Sequence, residues 1–172
     1  NILEASKYYQ YFIDQGFNDP RVFCNYGLIK QQLGQKEQAI ELIEKSISLS
    51  PRDVNLYYNL AKVLCDIGQI QKAEKSIRKS IEIKPDFAEA HFILGNILKD
   101  LGELEKAEQS IRKSIKISPN FVEAYLNLSI LLKEIGKFDE AKKELLKVIK
   151  IKPDYALAFF NLGILLKDMG KL

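Results

Sequence analysis

Asparagine recurs at a fixed spacing along this 172-residue chain. Its primary amide is the group in this sequence that is best suited to form directed hydrogen bonds. Asn25, Asn59, Asn127 and Asn161 lie 34 or 68 residues apart, and Ile93 occupies the position that would complete the series. A primary amide has two N–H donors and a carbonyl acceptor, which suits it to the alternating N–H and C=O groups of an extended peptide backbone. The same amides can instead cap or bridge helices without a ligand. The row therefore predicts either peptide contacts or cross-links within the fold.

Other residue types offer no catalytic or metal-binding set. The chain has one histidine, His91, and two cysteines, Cys24 and Cys65, which lack the close spacing of a zinc or redox motif. A glycine-rich phosphate-binding loop is absent from the sequence. We therefore expect a protein that is not an enzyme and uses no cofactor or metal. Two reduced thiols fit a cytoplasmic protein.

The composition is that of a soluble globular chain with a nearly balanced charge. Lys and Arg number 26 against 23 for Asp and Glu, and 47% of the residues are apolar. A net charge of +3 gives only weak attraction to nucleic acid or anionic lipid, and no apolar run reaches the roughly 18 residues of a membrane span. We expect a protein or peptide partner, and neither nucleic acid nor membrane. Frequent Lys, Ile and Asn favour a prokaryotic source.

The period of the asparagine row extends to the residues that shape the backbone. Three residue types keep it: Pro51, Pro85, Pro119 and Pro153; Gly34, Gly68, Gly102, Gly136 and Gly170; Ala5, Ala39, Ala73, Ala107 and Ala141. Within each period, two apolar stripes have helical spacing, the first ended by glycine and the second by proline. Each period is therefore predicted to be a helical hairpin. Small residues in the first helix predict a close crossing with the second: Gly27, Ala61, Gly95, Ser129 and Gly163.

The junctions between periods carry signals for helix starts. Asp86 with Glu89, and Asn120 with Glu123, have the spacing of a capping box, which predicts well-capped helices after them. The junctions at Asp53 and Asp154 keep the aspartate but lack the returning glutamate. The helices that follow these two junctions are therefore expected to fray more easily.

Each period has a large residue, then Leu-Gly, then Ala and a late Pro, and this pattern resembles the tetratricopeptide repeat. The resemblance covers the whole chain and implies an all-α fold, a right-handed α–α superhelix or solenoid of stacked hairpins. Full repeats are expected at 20–53, 54–87, 88–121 and 122–155, with 1–19 as a preceding second helix and 156–172 as a following first helix, in one array. The chain departs from the family pattern late in the second helix, where Ser46, Ser80 and Ser114 replace the usual alanine.

In this family the first helices line a concave groove, so the resemblance places the asparagine row there. The row is similar to the asparagine ladder in the repeats of O-linked N-acetylglucosamine transferase, which holds extended polypeptide. Other groove residues are expected from the same positions: Tyr58, Lys62, Phe92, Asn96, Lys99, Leu126, Lys133 and Phe160. Acidic residues follow the edge lysines, so the groove is mixed in charge and partly apolar, which favours a peptide over a nucleic acid.

These features predict a protein–protein interaction scaffold that binds an extended peptide segment of a partner. Two alternatives stay open. In the first, copies of the chain associate through apolar terminal helices, such as the one that carries Phe159, Leu162 and Leu166. In the second, the array serves as the substrate-binding module of a larger glycosyl- or sulfo-transferase.

Overall fold

The fold is all-α. The computed structural model describes residues 1–170, and ten helices account for most of them. In chain order they are α1 (Ile2–Asp14), α2 (Pro20–Gln32), α3 (Lys36–Leu49), α4 (Val54–Asp66), α5 (Ile70–Ile83), α6 (Ala88–Asp100), α7 (Leu104–Ile117), α8 (Val122–Glu134), α9 (Phe138–Ile151) and α10 (Ala156–Asp168). We refer to the even-numbered helices as first helices and to the odd-numbered ones as second helices. The helical hairpins predicted from the repeating pattern are present in this order.

The helices form two compact units. The first unit contains residues 1–85 and therefore α1 to α5, and the second begins at Asp86 and contains α6 to α10. Within each unit, every helix packs against its neighbours in sequence. This local packing fits a repeat protein, in which each hairpin covers the apolar face of the next one.

Glycine ends the first helices as the sequence predicts. Gly102 has φ +78°, a left-handed conformation that glycine adopts without steric cost. Its N–H donates to the carbonyl of Lys99 at 2.9 Å, and the N–H of Glu103 donates to that of Leu98 at 2.8 Å. These two bonds form a Schellman motif, which satisfies the last carbonyls of α6 and turns the chain into α7.

The predicted capping boxes are wrong. Asp53 is the N-cap of α4, and its carboxylate accepts a hydrogen bond from the backbone N–H two residues later at 2.9 Å. The N-caps of α6 and α8 are instead Phe87 and Phe121, and neither makes a side-chain cap bond. Asp86 and Asn120 lie one residue before these caps, because the position one period after Asp53 is Phe87. The reason for expecting more fraying after Asp53 therefore does not hold, because α4 has the side-chain cap that α6 and α8 lack.

Removal of the Asp53 carboxylate is expected to lower the free energy of unfolding by about 1 kcal/mol, because the first turn of α4 loses its side-chain acceptor. Asp86→Ala is the matched control and is expected to stay within about 0.5 kcal/mol of the unmodified protein, since Asp86 caps no helix. Urea titrations at neutral pH, followed by circular dichroism, measure both variants. Equal losses for Asp53→Ala and Asp86→Ala would contradict this assignment of the cap.

Small residues allow the two helices of a hairpin to cross closely. A Cβ atom added to Gly95 would collide with the side chain of Ile111 and lie 3.2 Å from the carbonyl oxygen of Ala107. Ala107 itself is fully buried, as are its counterparts Ala39, Ala73 and Ala141. The predicted close crossing is thus confirmed at this hairpin. At Gly163 in α10, a Cβ atom would have no neighbour within 4 Å.

Candidate peptide-binding face

Two asparagines connect neighbouring first helices in the second unit. Asn127 on α8 donates a hydrogen bond from Nδ2 to Oδ1 of Asn96 on α6 at 3.0 Å. They line a cavity of about 230 Å³ together with Lys99, Asp100, Ile111 and Ile130. We name this space the Asn127 cavity. Its floor comes from the second helix α7 and its sides from α6 and α8.

A second cavity repeats this arrangement one period later in the chain. It measures about 210 Å³ and is lined by Ser129, Ile130, Lys133, Leu145, Asn161, Ile164 and Leu165. We name it the Asn161 cavity. The Nδ2 atom of Asn161 is buried there and has no hydrogen-bond partner among residues 1–170. The two cavities form one face of α6, α8 and α10, which we call the amide face.

In the first unit, two further asparagines also donate to side chains of other helices. Asn25 on α2 donates from Nδ2 to the hydroxyl oxygen of Tyr9 at 3.3 Å, and Asn59 on α4 donates to Sγ of Cys24 at 3.5 Å. Together with Asn127, three amides of the predicted row therefore bridge helices. Each amide has two N–H donors and a carbonyl, so a single bridge leaves capacity for a ligand.

Cys24 beside Asn59 is a packing residue. Burial raises the pKa of its thiol, and this effect exceeds the lowering by the hydrogen bond from Asn59. The thiol is consequently protonated at neutral pH, and a protonated thiol is a poor nucleophile.

Two other predicted groove residues of the first unit lie together on α4. The ammonium group of Lys62 is 5.5 Å from the ring centroid of Tyr58, within the range of a cation–π interaction. Lys62 is exposed and Tyr58 is half-buried. The pair offers a charged and aromatic surface.

The predicted aromatic and aliphatic groove residues of the second unit differ in exposure. Phe92 is half-buried, and its ring packs at 5.0 Å from that of Phe121. Leu126 is only 5% exposed, so it packs in the interior and offers no open surface to a partner. Phe160 is 64% exposed on α10. Helical position alone did not distinguish these three environments.

Charged pairs join consecutive first helices along the edge of the amide face. Lys99 lies 3.5 Å from the Glu134 carboxylate, and Lys133 lies 2.7 Å from that of Asp168. The two residues of each pair are separated by one residue more than the repeat period. This regular spacing could have identified both pairs from the sequence. Such exposed pairs contribute about 0 to 1 kcal/mol each, but they place a negative charge beside each lysine. The edge therefore does not form a uniformly basic strip.

The second helices of the same unit carry a network of ion pairs. Arg112 binds Glu108 at 2.8 Å and Glu140 at 2.7 Å, and Lys137 binds Glu108 at 2.8 Å. Burial raises the pKa of Glu108, but the hydrogen bonds from Lys137 and Arg112 outweigh it and hold the pKa below its usual range. Glu108 is thus ionised at neutral pH and binds two cations of the fold.

Neither a metal-binding cluster nor a membrane-spanning helix is present within residues 1–170. They contain no group of three His, Cys, Asp or Glu side chains that could hold a metal ion. None of the helices in that range combines the length and apolar character needed to cross a membrane.

Three protein-family models match the chain, and together they cover most of it. A model described as TPR repeat matches residues 131–170. Two models described as Tetratricopeptide repeat match residues 20–53 and 88–121, and residues 42–75 and 111–143. A search of curated proteins found no significant match.

Solved structures with the same fold are numerous. A crystal structure of MamA protein is 26% identical over 88% of this chain and 83% of that protein, with a TM-score of 0.78. MamA from Desulfovibrio magneticus RS-1 is 21% identical over 90% of this chain and 87% of that one, with a TM-score of 0.81. YrrB, described as a TPR protein with an unusual peptide-binding site, is 20% identical over 95% of this chain and 84% of that one, with a TM-score of 0.74.

These similarities confirm the predicted all-α superhelix class and the predicted repeat type. The fold is that of protein–protein interaction scaffolds, which are generally not enzymes. The chain belongs to the tetratricopeptide repeat family.

Proposed function

We propose that the amide face binds an extended segment of a partner protein. The observation that carries this proposal is the pairing of an asparagine amide with a partly aliphatic cavity, repeated one period apart at Asn127 and Asn161. Backbone polar groups of an extended chain can bond to the amides, while its alternate side chains enter cavities. Recognition of extended peptides commonly combines main-chain hydrogen bonds with pockets for alternate side chains.

The energies involved favour moderate affinity. Each amide hydrogen bond contributes about 0.5 to 1.5 kcal/mol net, which does not offset the entropy lost by an ordered peptide. Burial of aliphatic side chains adds about 25 cal/mol for each Å² of apolar surface. Affinity therefore depends on how well side chains fill the cavities, and the amides set the direction and register of the peptide.

The charge distribution supports a peptide over a nucleic acid. A nucleic acid strand needs a positively charged path, and its binding is dominated by Lys and Arg contacts with phosphates. The edge lysines Lys99 and Lys133 are each paired with a carboxylate of the next first helix. YrrB has the same fold and is described as a TPR protein with an unusual peptide-binding site, so this fold is compatible with peptide binding.

Loss of both amides is expected to weaken peptide binding by about tenfold or more, because each leaves a peptide carbonyl without its donor. Peptides are first selected from a displayed random library against the full chain. Their affinities are then compared for the unmodified protein, for Asn127→Ala with Asn161→Ala, and for Asn120→Ala. Asn120 is an exposed asparagine that lines neither cavity and serves as the matched control. Unchanged affinity in the double variant would reject the proposal.

A second candidate function is association between copies of the chain through α10. Leu157, Phe159 and Phe160 on this helix are 44%, 50% and 64% exposed, a concentration of apolar surface typical of interaction sites. Light scattering after size-exclusion chromatography, over a series of concentrations, tests it. A mass that grows with concentration and returns to the monomer in Leu157→Ser with Phe159→Ser would support association. A monomer at every concentration would reject it.

A further inference from the structure

The two cavities of the amide face differ at the position that contacts the asparagine amide in the Asn127 cavity. In the Asn127 cavity, Asn96 supplies the carbonyl that accepts a hydrogen bond from Asn127. The position one period after Asn96 is Ile130, which lines the Asn161 cavity and has no polar group in its side chain. The acceptor that engages the asparagine amide of the first cavity is therefore missing from the second.

Asn161 is left with a buried donor that has no acceptor in residues 1–170. Nearly all buried polar groups in proteins have a hydrogen-bond partner, so such a group needs an explanation. An amide N–H that is deprived of water gains stability from any carbonyl that reaches it. A ligand that brings a carbonyl oxygen into the Asn161 cavity would supply that bond.

The other polar groups of the Asn161 cavity already have partners. The hydroxyl of Ser129 donates to the carbonyl of Leu126 in its own helix at 2.6 Å. The ammonium of Lys133 donates to the carboxylate of Asp168 at 2.7 Å. The cavity thus offers one orphaned donor, on Asn161, and it offers no unpaired positive charge that would select an acidic side chain.

The remaining walls are aliphatic. Ile130, Leu145, Ile164 and Leu165 supply them, and the cavity measures about 210 Å³. Apolar cavities of about 150 Å³ are large enough to accept benzene. The space therefore suits a branched aliphatic side chain such as that of leucine, with the adjoining backbone carbonyl directed at Asn161.

From these contacts we infer that the Asn161 cavity is a subsite for an aliphatic residue of the bound segment, whose backbone carbonyl accepts a hydrogen bond from Nδ2 of Asn161. In the Asn127 cavity, Nδ2 of Asn127 already donates one N–H to Asn96, so a ligand carbonyl gains less there than at the unpartnered amide of Asn161. This inference rests on the proposed function and deepens it, because it names the residue class that the partner presents. The asymmetry also gives the face a direction, with the anchoring residue of the partner placed between α8 and α10.

The probe for the subsite is N-acetyl-leucine N′-methylamide, which carries one aliphatic side chain and two amide carbonyls. N-acetylglycine N′-methylamide is its control without a side chain. Titration of the full ¹⁵N-labelled chain, followed by the NMR signals of the side-chain amides, is expected to shift the Asn161 signal with the leucine probe. The glycine control is expected to bind about tenfold more weakly, because it buries no aliphatic group. An Asn161 signal that neither probe moves would overturn the inference.

Exchange of the distinguishing residues provides the sharper test. Ile130→Asn places an amide carbonyl within the Asn161 cavity, as Asn96 does in the other one, and is expected to weaken binding of the leucine probe by about tenfold. Asn96→Ile removes the acceptor of Asn127 and is expected to strengthen the response of the Asn127 signal to the probe. Backbone amide signals distant from the cavities report whether each variant keeps its fold. Equal responses of the unmodified protein and the Ile130→Asn variant would also overturn the inference.

The inference and the proposed function can fail separately. In one outcome, library-selected peptides bind and lose affinity in the double asparagine variant, but the Asn161 signal does not move. That outcome would support the proposed function and reject the subsite. A leucine probe that shifts Asn161 while no library peptide binds the chain retains the cavity as an aliphatic site. That result would reject the amide face as a peptide-binding surface.

Discussion

Gly95→Leu is expected to lower the free energy of unfolding by about 3 kcal/mol, because an added side chain has no space between α6 and α7. Even the first added carbon would collide with Ile111 and would lie 3.2 Å from the backbone carbonyl of Ala107. Ile111 is itself 1% exposed and cannot move into solvent. A leucine therefore forces the two helices apart and disrupts the hairpin core. Loss on this scale is a large part of the roughly 5 to 15 kcal/mol by which domains are stable.

Gly163→Leu is the matched control for this prediction. Gly163 occupies the equivalent position in α10, where an added carbon has no neighbour within 4 Å. The change is expected to be neutral or to stabilise by up to about 0.8 kcal/mol, since glycine is unfavourable inside a helix. Urea titrations of both variants, followed by circular dichroism, provide the measurement. Similar losses at the two positions would show that helix crossing does not determine the cost.

Opposite effects are expected from one substitution, serine to alanine, at two equivalent positions of the second helices. Ser46 donates from Oγ to the carbonyl of Pro20 at 2.6 Å, and Ser80 donates to that of Val54 at 3.1 Å. Ser114 is equally buried, but its Oγ has no hydrogen-bond partner among residues 1–170. Ser46→Ala is therefore expected to lower the free energy of unfolding by about 1 kcal/mol, and Ser114→Ala to raise it by about 1 kcal/mol.

The gain at Ser114 comes from the removal of a buried hydroxyl that has lost its water without gaining an acceptor. Alanine also has the higher helix propensity. Thermal and urea unfolding of the two single variants, compared with the unmodified chain, measure the difference of about 2 kcal/mol. A destabilised Ser114→Ala variant would mean that the hydroxyl has an acceptor in solution.

The helices could be predicted from sequence because glycine, proline and apolar residues repeat at a fixed spacing. The capping residues were harder to predict, because the presence of Asp86 before a helix does not show at which residue that helix begins. Asp53 and Asp86 look alike in sequence, yet they differ by one residue relative to the helix start. A one-residue shift decides whether a carboxylate reaches the first free N–H groups.

The candidate site was predictable at the level of its asparagine row and not at the level of its contacts. The repeat period identifies Asn127 and Asn161 as equivalent, but their environments depend on a third position in the preceding hairpin. Asn96 at that position engages the first amide, and Ile130 leaves the second without an acceptor. Similarly, Leu126 occupies a first helix like Phe160, and only packing against other helices determines that Leu126 is buried.

The most direct test of the central claim is NMR mapping of a library-selected peptide on the full ¹⁵N-labelled chain. The account predicts that the largest shifts occur on the amide face, with the side-chain amides of Asn127 and Asn161 among them. Residues of the ion-pair network on the second helices, such as Arg112, are expected to shift little. Shifts confined to the second helices, with both asparagine amides unmoved, would contradict the claim that the amide face binds the peptide.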